Sequence, residues 1–435
     1  MPVTTAAEAM EGALRASSLP GLLPPEVAPE FVMPDYGGRS LLNVPATVAR
    51  ILGAGPRRLA PPLEDAYWKP LREGVRRVVL VVLDALGYSR LQQAMAGPAG
   101  KLWARLARRG LLLPMTSVFP STTSTALATL FTGAPPLAHG LVGYELWLRE
   151  HGLLTDMLTL KPALGGKQET ILDWGFVPER FLSAPPIASR LARAGIHTMA
   201  LIPAPFIGSA LTRMLYRDFD LLVGYRDVAE MWRRAAAIFG RDGSDPSLTV
   251  LYWGGIDATI HRHGSADRRW ETQLGAVTDA CESEFLAHLT PEQRRGTLLV
   301  LVADHGFVDS PADLAHDTER DPVLRERLLI PYSGEARAAY LHCRDGGAGD
   351  TRRAVQEALG ENYVVLPTDL AVNAGLLGSG TPAPETPNRI GHLIVLARGA
   401  HYLDRLNRRA KLRGRHGGLT ADEMLVPWLA ARLDA

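Results

Sequence analysis

Five consecutive hydroxyl residues, Ser121 to Thr125, sit between Thr116-Ser117-Val118-Phe119-Pro120 and Ala126-Leu127-Ala128-Thr129-Leu130-Phe131. The β-branched, apolar run ahead of Pro120 reads as a strand that the proline ends; the run after Thr125 reads as a helix. Hydroxyls at a strand-to-helix turn stand beside unpaired backbone N–H groups and the positive end of the helix dipole. That setting attracts phosphate, and it suits a hydroxyl that must become an alkoxide. Taken alone, N-capping is the commoner use of such residues.

Other residues shift the balance toward chemistry. Asp84 follows the apolar run Arg76–Leu83, Asp257 and His261 follow Leu248–Trp253, and Asp304-His305-Gly306 follows the apolar run at 297–303. His416 lies in a glycine-flanked loop, where backbone can approach a site closely. Carboxylates and neutral imidazoles are ligands for Zn²⁺ and similar divalent ions. Asp257 and His261, four apart, share one face if their segment forms a helical turn. Asp304 and His305 are adjacent and diverge, so they can serve different positions around one ion or two. Six such donors and a hydroxyl suffice for two metals, each with open positions for a substrate. Read singly, each is equally a turn, a cap or a surface histidine. Read together, the bland account needs four coincidences, all at the ends of apolar strands or in glycine loops.

The elements that must position these residues alternate. Apolar runs at 76–83, 198–202, 248–253 and 297–303 read as strands covered on both faces. Helical patterns lie at 89–95, 102–108, 187–193, 228–238 and 266–289. This rhythm predicts helices sandwiching a mostly parallel sheet, and such sheets bind ligands at their carboxyl edge. Residues 1–70 are Pro- and Gly-rich and read as a wrapping segment, with only Val44–Leu52 helical. The core is expected at 71–145, 185–310 and 389–435. A lid is expected at 146–184 and a smaller α+β cap at 311–388, with strands at 338–342 and 363–366 and helices near 352–359 and 369–374. Ile390–Ala397 reads as a strand, and the tail as an amphipathic end.

Composition narrows the function. Among 435 residues the net charge is +1, which gives no field favouring a nucleic-acid polymer or a membrane surface. The two cysteines, Cys281 and Cys343, are too few for a disulfide framework or a metal cluster of their own. The first residues have neither a basic n-region nor an apolar h-region, and no apolar run approaches a membrane span. A cytoplasmic protein with a small-molecule substrate is the expectation.

The motifs together resemble the alkaline phosphatase superfamily, most closely its nucleotide pyrophosphatase/phosphodiesterase (type I phosphodiesterase) branch. Phe119-Pro120-Ser121-Thr122-Thr123 with Thr132-Gly133, Asp257/His261/Gly264, Asp304-His305-Gly306 and His416-Gly417 stand in that branch's order and spacing. The resemblance implies an alkaline-phosphatase-like three-layer α/β/α sandwich with a mostly parallel central sheet and an inserted cap. It implies a hydrolase of phosphoric esters that forms a covalent phospho-threonine on Thr123. One divalent ion would be held by Asp84, Thr123, Asp304 and His305, the other by Asp257, His261 and His416. Zinc is the usual metal, with Mn²⁺ an alternative. Tyr144 and Ser124 fall at substrate-contacting positions, and both depart from the family pattern. Ser124 replaces an aromatic that stacks on a base, and Tyr144 replaces an asparagine that holds a phosphate oxygen. Two competing readings remain: a phosphomonoesterase, phosphonate hydrolase or phosphomutase on the same fold, and a metal-binding regulatory domain without turnover.

Overall fold

The computed structural model describes residues 3–55, 59–239, 246–347, 349–405 and 412–434. Seven strands form the main sheet: β1 (Arg77–Leu83), β2 (Leu111–Thr116), β3 (His197–Pro203), β4 (Leu221–Tyr225), β5 (Ser247–Trp253), β6 (Thr297–Val302) and β7 (Leu425–Arg432). Their order is β2-β7-β6-β1-β5-β3-β4. β1 pairs in parallel with β5 and β6, and β3 in parallel with β4 and β5; β7 is antiparallel to both its neighbours. Every residue of β6, and every residue of β1 after Arg77, is buried. That explains their unbroken Val/Leu composition, since both faces meet helices.

The helices fall into two groups that pack among themselves. Val44–Ile51, α1 (Thr123–Thr132), Ile187–Ala192 and Ala210–Leu215 form one, lying over Leu80, Leu248 and Val250. Tyr88–Met95, Lys101–Arg109, Val228–Phe239 and Arg269–Ala280 form the other. The result is the three-layer α/β/α sandwich that the strand–helix rhythm predicts.

A second seven-stranded sheet, antiparallel throughout, stands beside the first. Its order is Tyr363–Pro367, Leu393–Ala397, Ala338–Leu341, Ser333–Gly334, Glu145–Leu148, Leu153–Asp156, Lys161–Pro162. Segments expected as a separate lid and cap thus share one sheet. Leu393–Ala397, expected to return to the core, pairs here between Tyr363–Pro367 and Ala338–Leu341. Its own small apolar core holds Leu324, Val355, Leu359, Val365 and Val395.

Three local expectations are corrected. The strand before the hydroxyl cluster is Leu111–Thr116; residues 117–120 are loop, with a cis Phe119–Pro120 bond. Val3–Arg15 is a helix packed near β2, although its neighbourhood reads as irregular. The tail is a strand, buried through its first seven residues, inserted between β2 and β6.

Candidate active site

Chain segments distant in sequence converge at the carboxyl edge of the three central strands. Asp84 leaves β1, and its N–H donates to Trp253 O at the end of β5 (3.0 Å). Ala85, held at φ 65°, donates its N–H to Asp304 Oδ1 (3.1 Å), and His305 N–H donates to the same oxygen (3.0 Å). Asp257 and His261 lie one turn apart on α2 (Gly255–His263), which follows β5. Their shared face, conditional in the sequence, is a consequence of that helix. His416 arrives on a segment stitched down twice. Gly414–Arg415 pairs with Val308–Asp309, and Ser121 Oγ donates to Gly418 O (2.7 Å).

Two glycines make these approaches possible. A Cβ on Gly306 would lie 2.0 Å from Asp422 O. Gly417, at φ 110°, has Glu335 side-chain carbons where its Cβ would be, at 2.6 Å. A side chain at either position would push the neighbouring ligand loop away.

The donors form two trios. Asp84, Asp304 and His305 each bring a ligand atom within 4.8 Å of the other two, and so do Asp257, His261 and His416. His305 Nε2 lies 3.4 Å from Asp84 Oδ1 and 3.6 Å from Asp304 Oδ2. His261 Nε2 lies 3.4 Å from Asp257 Oδ1, and His416 Nε2 lies 3.9 Å from it. The His305 and His416 rings stack at 3.8 Å, so the trios adjoin.

The trios carry the marks of cation sites. Asp84 Oδ1, Asp257 Oδ1 and Asp304 Oδ2 are buried without a hydrogen-bond partner. Unpaired buried carboxylate oxygens are costly unless a cation compensates them. Each imidazole also turns its Nδ1 to a backbone carbonyl: His261 to Gly414 O (3.0 Å), His305 to Gly306 O (2.9 Å) and His416 to Ser121 O (3.2 Å). A proton on Nδ1 leaves each Nε2 lone pair aimed into the site, as a metal ligand requires. Burial lowers His261 to about 4, and burial with the neighbouring imidazoles drives His416 well below its ordinary value. Both rings are therefore neutral near pH 7. Burial raises Asp257 to about 7, opposed by His305 and reinforced by Asp304. Burial, then the Asp304 and Asp257 charges, pushes Asp84 well above the carboxylate range, although Tyr252 donates to its Oδ2. A divalent cation would supply the positive charge these groups lack.

Thr123 opens α1 beside this cluster, its Oγ1 3.1 Å from His305 Nε2. Thr122 is the N-cap residue but makes no side-chain cap bond. Among the described residues no acceptor meets the N–H groups of Thr123, Ser124 and Thr125. The capping alternative thus loses its main support, and the helix end keeps free donors for an anion.

Two expected substrate contacts are turned elsewhere. Ser124 is 1% exposed and donates to Gly143 O (3.0 Å), so its hydroxyl is spent inside the fold. Tyr144 does line the cleft, but its hydroxyl donates to Asp156 Oδ2 (2.7 Å). Its N–H donates to Glu335 Oε1 (2.9 Å). The cleft, about 340 Å³, opens between the two sheets and is lined by Thr122, Thr123, Asp257, His261 and His416 on one side. Tyr144, Glu335, Arg405 and Arg415 line it as well. Sequence reasoning missed Tyr252, Glu335 and Arg415. Arg415 stands next to His416, which was its one signal; Glu335 lies in the cap, which has no readable pattern.

A mostly parallel sheet carrying two carboxylate–imidazole trios and a helix-opening threonine at its carboxyl edge defines a metal-dependent hydrolase of the alkaline phosphatase superfamily, acting on phosphoester bonds. The model of the type I phosphodiesterase / nucleotide pyrophosphatase family matches residues 78–419, and the chain belongs to that family. Solved structures agree in fold. Murine ectonucleotide pyrophosphatase / phosphodiesterase 5, an inactive variant in complex with AMP, is 16% identical with a TM-score of 0.60, covering 82% of this chain and 88% of that one. The human counterpart is 18% identical with a TM-score of 0.59, covering 81% and 87%. Phosphonoacetate hydrolase from Sinorhizobium meliloti, in complex with phosphonoformate, is 18% identical with a TM-score of 0.57, covering 81% and 89%. No protein of curated function matches the sequence significantly. Among the described residues no helix is long and apolar enough to cross a membrane.

Proposed function

We propose that this protein hydrolyses small-molecule phosphodiesters or phosphoanhydrides, with Thr123 as nucleophile and two divalent cations, most simply zinc. Asp84, Thr123, Asp304 and His305 would hold one cation; Asp257, His261 and His416 would hold the other. The observation that carries the reading is the Thr123 hydroxyl, placed against His305 beside carboxylate oxygens that have no other partner. Bound cations would lower the hydroxyl pKa and neutralise charge on phosphoryl oxygens.

The chain's own groups supply the rest. The free N–H groups opening α1 receive phosphoryl oxygens as charge builds on them. Thr123 Oγ1, its proton released to solvent, attacks phosphorus in line, forming an O–P bond as the bond to the leaving oxygen breaks and that oxygen takes up a proton from solvent. Water then loses a proton and attacks the same phosphorus, the threonine oxygen departs and is reprotonated, and a phosphomonoester or phosphate is released. His305 and His416, fixed through Nδ1, keep their Nε2 atoms aimed at the site throughout.

Thr123→Ala tests this. Turnover of bis-p-nitrophenyl phosphate should fall by at least about a thousandfold, the scale of losing a covalent nucleophile. Bound metal and thermal stability should change little. Normal turnover in this variant would discard Thr123 as nucleophile. Chelation should abolish wild-type activity and added Zn²⁺ restore it. Rates on bis-p-nitrophenyl phosphate against p-nitrophenyl phosphate separate diester from monoester preference.

A further inference from the structure

Arg415 lines the cleft immediately before His416 and is 5% exposed. Arg337, Arg389 and Arg405 are buried to a similar degree, and each faces a carboxylate: Glu423, Glu150 and Glu145. Arg415 has none within ion-pair distance among the described residues. Its guanidinium lies 3.7 Å over the Tyr402 ring, and Nη1 donates to Leu412 O (2.9 Å). Asp404 lies farther off. A buried guanidinium is costly unless an anion pairs with it, and its planar fork fits carboxylate and phosphoryl oxygens.

Position says which anion. Arg415 adjoins the trio of Asp257, His261 and His416, and its charge reaches His261. Thr123 touches the other trio, through His305. In-line displacement puts the leaving group opposite the attacking hydroxyl. The second trio and Arg415 then lie on the leaving-group side.

We propose that Arg415 is a specificity-determining residue that binds a second anionic group, phosphoryl or carboxylate, on the leaving-group side of the scissile bond. This rests on the phosphoester-hydrolase reading for the direction of attack. Glu145 already neutralises Arg405, so among the described residues lining the cleft Arg415 is the cation left to meet substrate charge. Substrates whose leaving group carries a negative charge are favoured over those with neutral leaving groups.

The test is calorimetry on zinc-loaded Thr123→Ala protein, which blocks turnover, with inorganic pyrophosphate, phosphonoacetate and orthophosphate. Pyrophosphate, phosphonoacetate or both should bind about 30-fold tighter than orthophosphate, the scale of one charged hydrogen-bond pair. The ligand that shows the preference identifies the anion. Adding Arg415→Gln should erase the preference with metal content unchanged. Should that variant not fold, Arg415→Lys, which keeps the charge and loses the fork, should reduce the preference several-fold. A preference undiminished by either folded substitution, or an equal loss on all three ligands, overturns the subsite. Wild-type protein that hydrolyses no phosphoester, while the Arg415-dependent preference persists, removes the hydrolase reading and leaves the subsite standing.

Discussion

At the scale of single residues, the site is defined by what its polar atoms lack. Asp84 shows this most directly: one oxygen takes the Tyr252 hydroxyl and the other is bare. Tyr252 therefore orients a proposed ligand without taking the place of a cation. Tyr252→Phe should weaken metal binding by about 10- to 100-fold, the usual effect of losing a partner behind a ligand. Competition with a chromophoric chelator reads this, and unchanged affinity would make the tyrosine merely a packing residue. Glu335 is a different case. It takes a bond from the Tyr144 N–H, yet burial still raises it to about 8, against an unfolded value near 4.5. The folded state thus binds its proton more tightly than the unfolded state. Stability from this group is fully present below pH 4.5 and is lost as pH rises through 8. In metal-free protein, the stability of wild type minus that of Glu335→Gln should fall by about 1.4 kcal/mol per pH unit across that window. Taking the difference cancels the histidines, whose lowered values act with the opposite sign. Denaturation of both proteins at several pH values checks the slope, and a flat difference refutes it.

At the scale of elements, the legible parts are those where one local rule decides. Strands buried on both faces read as unbroken Val/Leu runs, so β1, β5 and β6 and the carboxylates after them follow from the sequence. The four-residue step from Asp257 to His261 needs only a helix to become a site. The cap does not read this way. Its strands come from four separate stretches between Glu145 and Ala397, two of them only two residues long, and their pairing is fixed by contacts no local pattern encodes. β7 misleads for a related reason: Leu425–Arg432 gains its strand identity from the gap between β2 and β6. Ser124 misleads through the helix, which turns its hydroxyl to Gly143 and away from the cleft. The joint between β6 and the loop before β7 is tight, because Gly306 packs backbone against backbone at Asp422. Gly306→Ala must move one of the two loops. Its cost should reach or exceed the upper end of the roughly 1–3 kcal/mol seen for overpacking. Thermal unfolding would show this, along with weaker metal binding because His305 is the preceding residue. A variant as stable as wild type would mean the loops yield freely.

At the scale of the whole molecule, the site sets a load that the fold carries whenever no cation is present. Three bare carboxylate oxygens lie among six proposed ligands drawn from the ends of β1 and β6, from α2 and from the loop before β7. Because these segments are separated by up to 332 positions in sequence, from Asp84 to His416, unfolding scatters them and the cation affinity is lost. Metal binding is then linked to stability of the entire core, by RT ln(1 + [M]/Kd) for each site. At a thousandfold excess over Kd, each ion adds about 4 kcal/mol. Thermal unfolding should therefore shift upward with free Zn²⁺ concentration and downward on chelation. Thr123→Ala should keep most of the shift, because five of the six other ligands contact neither its hydroxyl nor each other through it. Asp257→Asn should lose about half, since it disables one trio and leaves Asp84, Asp304 and His305 intact. Differential scanning calorimetry across a zinc titration separates these cases. A midpoint independent of zinc in wild-type protein would mean the two trios are not cation sites, and the assignment of Thr123 would fall with them.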